Sequence, residues 1–116
     1  MIEAARVSDG TNPCDEFLSG LEASKRKKDR ERLANTLIVL EDFAHRRELC
    51  FPRETNNLVG GIKELKAGDV RLPFFDVEGT RVGAVRITHG FIKRTPRAPR
   101  KEINRAVWVR EEDSKS

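Results

Sequence analysis

An α+β fold is what this residue order predicts, as a single domain over residues 1–116, and three observations predict it. Apolar residues before position 47 recur at helical spacing. Between 62 and 92 they recur at period two, between turns that contain glycine. A second helical pattern follows the proline-rich stretch Arg94-Thr95-Pro96-Arg97-Ala98-Pro99. The expected architecture is an N-terminal helical hairpin packed on a small antiparallel sheet of three to four strands, with a short C-terminal helix. A chain of 116 residues suits one domain with one modest core.

Residues 2–7 carry a weak strand pattern, and Asp9-Gly10 signals a turn. Asn12 followed by Pro13 predicts a helix N-cap with proline at the first helical position. That helix runs through Phe17, Leu18 and Leu21, and Gly20 weakens it. Ser24 predicts a second N-cap, opening a long helix over about 25–47. Its expected packed face holds Leu33, Leu37, Leu40 and Ala44, with Ile38 beside them. Pro52 ends the helical region, and the polar residues 53–60 read as a connection. Strands are expected over 62–66, 70–77 and 81–92, joined by turns at Gly68-Asp69 and Glu78-Gly79. Pro73 inside the second strand predicts an edge or a bulge. The last helix is expected over 99–111 with Ile103, Ala106, Val107 and Arg110 on its packed side. The two ends, 1–8 and 111–116, are expected to be the looser parts.

Composition narrows the function. Lysine and arginine number 23 against 19 acids, giving a net charge of +4 and a pI near 9.4, a balance that favours an anionic partner. No apolar run reaches the ~18 residues of a membrane span, and Met1-Ile2-Glu3-Ala4-Ala5-Arg6 does not resemble a signal peptide. A cytoplasmic protein without membrane contact is expected. Cys14 and Cys50 show no paired-cysteine spacing, so neither a zinc site nor a disulfide framework is expected. No P-loop, nucleophile elbow or HExxH motif occurs. No cofactor and no metal are expected.

The charge is concentrated. Residues 81–101 hold Arg81, Arg86, Lys93, Arg94, Arg97, Arg100 and Lys101 and no acid. Such a cluster binds phosphate backbones by ion pairing and counterion release. Arg86, Arg94, Arg97, Arg100 and Lys101 are therefore candidate RNA contacts. The other basic run, Lys25 to Arg32, contains Asp29 and Glu31 and reads as a solvated helix face. Trp108 reads either as core or as an aromatic available to stack on a base. His89 shares a strand face with Val85, Ile87, Phe91 and Lys93; it is either a hydrogen-bonded core residue or a titrating group. One reaction suits an inventory of bases without a metal or nucleophile motif: cleavage of RNA by its own 2′-OH. Its phosphorane transition state carries negative charge that arginine and lysine can offset.

The run Phe91-Ile92-Lys93-Arg94-Thr95-Pro96-Arg97-Ala98-Pro99-Arg100-Lys101-Glu102-Ile103, with Ala106 beyond it and His89-Gly90 before it, resembles the C-terminal signature of HigB-like toxins. These form the phage-derived branch of the RelE/ParE toxin–antitoxin superfamily. Asp9-Gly10, Pro13, Glu16-Phe17-Leu18 and Leu21 fit the same pattern. So do Ile62-Lys63-Glu64-Leu65-Lys66, Val70-Arg71 and Phe74-Phe75. The likeness spans about residues 9–107.

The resemblance implies a RelE/ParE-like fold and a ribosome-dependent mRNA interferase, an endoribonuclease that blocks translation. It implies the ribosome and mRNA as partners, together with a cognate helix-turn-helix antitoxin of the HigA type. By motif position it implies catalytic roles for Arg71 and Lys93, with Arg94 completing the basic pair. Lys66 falls where the family usually has arginine after Glu-Leu, which keeps the charge and loses bidentate binding. His89 is the candidate titrating group. The chain has no tyrosine, where many members place one near the C-terminus, and Trp108 offers the stacking part of that role. Two alternatives on the same fold stay open: a DNA gyrase inhibitor of the ParE type, and a degenerate toxin that binds only its antitoxin or nucleic acid.

Overall fold

Among the described residues, nine elements follow one another. They are β1 (Ile2–Ala4), α1 (Pro13–Ala23), α2 (Lys27–Arg46), β2 (Thr55–Val59), β3 (Ile62–Ala67), β4 (Val70–Asp76), β5 (Val85–Ile87), β6 (Phe91–Ile92) and α3 (Arg100–Ser114). The computed structural model describes residues 2–46, 55–77, 84–96 and 99–115. The fold is α+β, as the periodicities predict, but the sheet is larger than expected. It has six strands in the order β1-β5-β4-β3-β2, and β6 pairs with β4 beside β5. The sheet is also not purely antiparallel: β1 runs parallel to β5, with Ile2 opposite Val85 and Ala4 opposite Ile87.

The helices start where the local chemistry allows. Asp9 Oδ1 accepts the Thr11 N–H at 2.9 Å and its hydroxyl at 2.7 Å, a local turn that leads the chain into α1. Pro13 occupies the first turn of α1, where no intrahelical donor is needed. Asn12 stands at the N-cap but its side chain makes no capping bond; it reaches back to the Ala4 carbonyl at 3.4 Å. Ser24 Oγ accepts the Arg26 N–H and donates to Asp29, which holds the entry to α2.

Alternate residues of a strand point to opposite faces, and the two faces of this sheet differ. One presents Leu65, Ala67, Val70, Leu72, Phe74, Val85 and Ile87, packed with Cys14 and Phe43 and flanked by Phe17, Leu18, Val39 and Leu40 of the hairpin. This is the main core, and each of its buried Val, Leu, Ile and Phe side chains contributes roughly 1.5–3 kcal/mol. The packed face of α2 is rotated from the expected one. Thr36 and Phe43 are buried, while Leu37 and Ile38 are 51% and 59% exposed. Both stripes have helical spacing; the Phe43 ring, 5.1 Å from that of Phe74, decides between them.

The opposite face carries Ile62, Glu64, Lys66, Arg71, Pro73 and Phe75 by register, and α3 lies over it. Val109 packs there with Phe75, Ala5 and Val7. The sheet is thus covered on both faces, not on one. The C-terminal helix continues to Ser114 rather than ending near 111. Its last turn is held by Asp113, which accepts the Arg6 N–H at 2.9 Å and Arg86 Nη1 at 2.6 Å, and by Glu112, which accepts the Ser8 hydroxyl at 2.6 Å. Trp108 is 51% exposed, on the outer side of α3 and not in the core.

Three strand expectations need correction. The polar residues 55–59 form β2, not a connection. The Gly60-Gly61 turn, with φ of 48° and 82°, turns β2 back onto β3; glycine adopts that left-handed conformation without strain. The expected strand over 81–92 is two short ones, with Thr88, His89 and Gly90 between them, and its beginning at 81–83, like the Glu78-Gly79 turn, lies outside the described residues. Pro73 sits in the central strand β4, not at an edge. Its carbonyl accepts the Thr88 N–H at 2.8 Å. In an extended strand the N and the C=O of one residue face the same neighbour, so the missing N–H of Pro73 meets the break between β5 and β6.

Candidate nucleic-acid interface

The β3–β4 turn and the chain leaving β6 meet at one end of the sheet. Lys93 N–H donates to the Asp69 carbonyl at 2.8 Å, which seats the exit segment beside the turn. Val70 pairs with Ile92 and Arg71 with Phe91. The result is an open cleft of about 590 Å³ lined by Gly68, Asp69, Arg71, Lys93, Arg94, Thr95 and Pro96. Three of the sequence-predicted site residues, Arg71, Lys93 and Arg94, therefore come together from positions more than twenty residues apart.

Arg71 is held firmly. Its Nη1 donates to the carbonyls of Gly68 at 2.6 Å and Val70 at 3.1 Å. Its Nε lies 4.0 Å from Oε2 of Glu64, whose side chain is wholly buried. Among the described residues, Nε and both Glu64 oxygens have no hydrogen-bond partner. Lys66 is the register partner of Arg71 across the hairpin, half-buried at the same end of the sheet. Asp69 also lines the cleft, and its carboxylate is engaged from the other side. Arg32 Nε donates to it at 3.0 Å and Nη2 at 2.7 Å. That guanidinium holds the Asp69 carboxyl below its usual range, and the bidentate pair locks the turn to α2.

His89 does not line this cleft. It is fully buried, with its ring stacked on Phe91 at 5.6 Å. Thr88 Oγ1 donates to the Pro73 carbonyl at 3.2 Å and stands 3.0 Å from His89 Nδ1. The roles of that hydroxyl and Nδ1 depend on the ring tautomer: it accepts from a protonated Nδ1 or donates to a bare one. Nε2 faces Glu102 Oε1 of α3 at 3.4 Å. Burial, with a smaller push from Arg105, lowers the His89 pKa to about 4. The Glu102 carboxylate favours the charged ring, but desolvation prevails and the imidazole is neutral at pH 7.

The remaining candidates scatter. Arg100 and Lys101 stand exposed on the first turn of α3. Trp108 is exposed two turns further along the same helix. Arg86 is engaged elsewhere, 3.4 Å from Glu3 and 2.6 Å from Asp113. It borders a separate cavity of about 540 Å³ with Arg110 and the Gly60-Gly61 turn. Arg97 lies outside the described residues, as do Arg81 and Cys50. Cys14 is buried in the core, and burial pushes its thiol pKa up to about 12, which leaves it unreactive.

Sequence reasoning missed Glu64, Asp69 and Glu102. Strand alternation does place Glu64 on the face of Lys66, and Asp69 stands in a turn the sequence announces. Neither signal shows that α3 covers one and Arg32 grips the other. Among the described residues, no three His, Cys, Asp or Glu side chains gather as a metal-binding group, and no helix is long and apolar enough to cross a membrane. No protein-family model matches the chain, and no curated protein is significantly similar to it.

Proposed function

We propose that this protein is the toxin of a type II toxin–antitoxin system, a HigB-like member of the RelE/ParE superfamily that cleaves translated mRNA on the ribosome. One observation carries the reading: Arg71, Lys93 and Arg94 converge on a single open cleft. The resemblance of residues 89–106 to the HigB signature supports it.

In this reading the RNA 2′-oxygen attacks the adjacent phosphorus as its proton passes to solvent, and the bond to the 5′-oxygen breaks as that oxygen takes a proton, leaving a 2′,3′-cyclic phosphate and a 5′-hydroxyl. Arg71 and Lys93 face the phosphate, where their charge offsets the growing charge on the non-bridging oxygens. Such stabilisation is larger in the transition state than in bound substrate and so raises the rate. Arg94, Arg100 and Lys101 hold neighbouring phosphates, and Lys66 adds charge at the same end of the sheet. Trp108 offers a stacking surface further along α3. Buried His89 acts through the fold, joining the sheet to α3, rather than by touching RNA. A helix-turn-helix antitoxin neutralises the cleft with an acidic segment. The place of action is the cytoplasm, and no metal or cofactor takes part.

Induced expression in a bacterium tests this. Wild type is expected to arrest growth, and Arg71→Ala and Lys93→Ala are each expected to relieve the arrest at equal protein level and unchanged melting temperature. Full toxicity in both variants would show that the cleft is not the site. The absence of tyrosine favours a second reading, a gyrase inhibitor of the ParE type; inhibited supercoiling with intact mRNA would select it.

A further inference from the structure

We propose that Glu64 is the positioning residue for Arg71, a buried carboxyl group that orients the guanidinium toward an RNA phosphate. The inference deepens the proposed function and rests on the reading of the cleft as a phosphate site.

Glu64 is 0% exposed, on the sheet face under α3. Among the described residues, neither of its oxygens has a hydrogen-bond partner. A buried carboxyl group left so is a liability to stability, and Arg71 is a cation that compensates it. Their 4.0 Å separation exceeds a hydrogen bond, so the attraction is electrostatic and gains from the dry surroundings.

The guanidinium of Arg71 is thereby divided. Nη1 is taken by the Gly68 and Val70 carbonyls and Nε faces Glu64. Nη2 is left without a partner among the described residues, on a side chain that lines the cleft and is 14% exposed. A guanidinium held at two of its three nitrogens loses little freedom when the third meets a phosphate, which is how preorganisation raises affinity. Lysine in its place would keep the charge and lose the orientation.

The test combines the Arg71 Nε–Hε NMR resonance with binding of a short single-stranded oligoribonucleotide. Glu64→Gln keeps the shape and removes the charge. It is expected to shift the Arg71 resonance and weaken RNA binding about tenfold, and to have no further effect in an Arg71→Ala background. Arg71→Lys is expected to bind nearly as poorly as Arg71→Ala, and this variant keeps the test decisive should Glu64→Gln fold badly. An unmoved Nε resonance, equal effects of Glu64→Gln with and without Arg71, or wild-type binding by Arg71→Lys would each overturn the proposal. A folded wild type that binds no RNA would sink the reading of the cleft alone, and the Nε resonance would still decide the positioning.

Discussion

A Cβ added at Gly90 would stand 2.2 Å from a ring carbon of Phe17, where real contacts do not occur. Gly90 lies in the short break between β5 and β6, so the close approach joins α1 to the part of the chain that carries His89. Gly90→Ala is expected to destabilise the fold by roughly 2–4 kcal/mol, read as a shifted midpoint in chemical denaturation. His89 next to it makes a second prediction. Folding lowers its pKa from 6.5 to about 4, so between those values the unfolded chain binds a proton that the folded chain does not. Stability is therefore complete above about pH 6.5 and falls as the pH drops towards 4, by on the order of 3 kcal/mol in all. Glu102 and Arg105, which face the ring from α3, set how much of that appears. A His89→Gln variant is expected to lose less stability than wild type between pH 7 and pH 4; parallel curves would contradict the assignment. Arg71, Lys93 and Arg94 were legible as candidates because they stand in a motif, the last two also in an acid-free run. Glu64 was not, because a carboxylate alternating with Ile62 and Lys66 reads as solvated until a helix is known to cover it.

Packing of α2 shows what periodicity leaves open. Leu37 and Ile38 fit a helical stripe as well as Phe43 does, yet they are exposed and Phe43 is 6% exposed. Phe43→Ala is expected to cost about 3–5 kcal/mol, whereas Leu37→Ala is expected to cost far less, since little burial is lost. Equal losses in thermal denaturation would mean that the packed face is assigned wrongly. The strand β2 was hidden by its own composition. Thr55, Asn56 and Asn57 are polar, and the available signal was the Gly60-Gly61 pair, which suits a two-residue hairpin. The split of β5 from β6 had a signal as well, in Pro73. A proline in a central strand requires a broken neighbour, and Thr88 to Gly90 form that break. The length of α3 was misread because its final acids look solvated, whereas Glu112 and Asp113 find Ser8, Arg86 and the Arg6 N–H.

For the molecule as a whole, the α+β class and the coarse run of helices, then strands, then a last helix were readable from the alternating periods. The arrangement of layers was not. The parallel pairing of β1 with β5 and the placement of α3 over the second face depend on contacts between the two ends of the chain, which no local pattern encodes. Arg71, Lys93 and Arg94 meet at the end of the sheet, where the β3–β4 turn reaches the exit of β6. The most direct test is primer extension on a reporter mRNA incubated with purified protein in a reconstituted translation mixture, with and without ribosomes. Cuts in phase with codons are expected only when ribosomes are present, and reduced at least tenfold in Arg71→Ala and Lys93→Ala. Intact mRNA from a folded wild-type protein, or cuts undiminished in both variants, would contradict the proposed function.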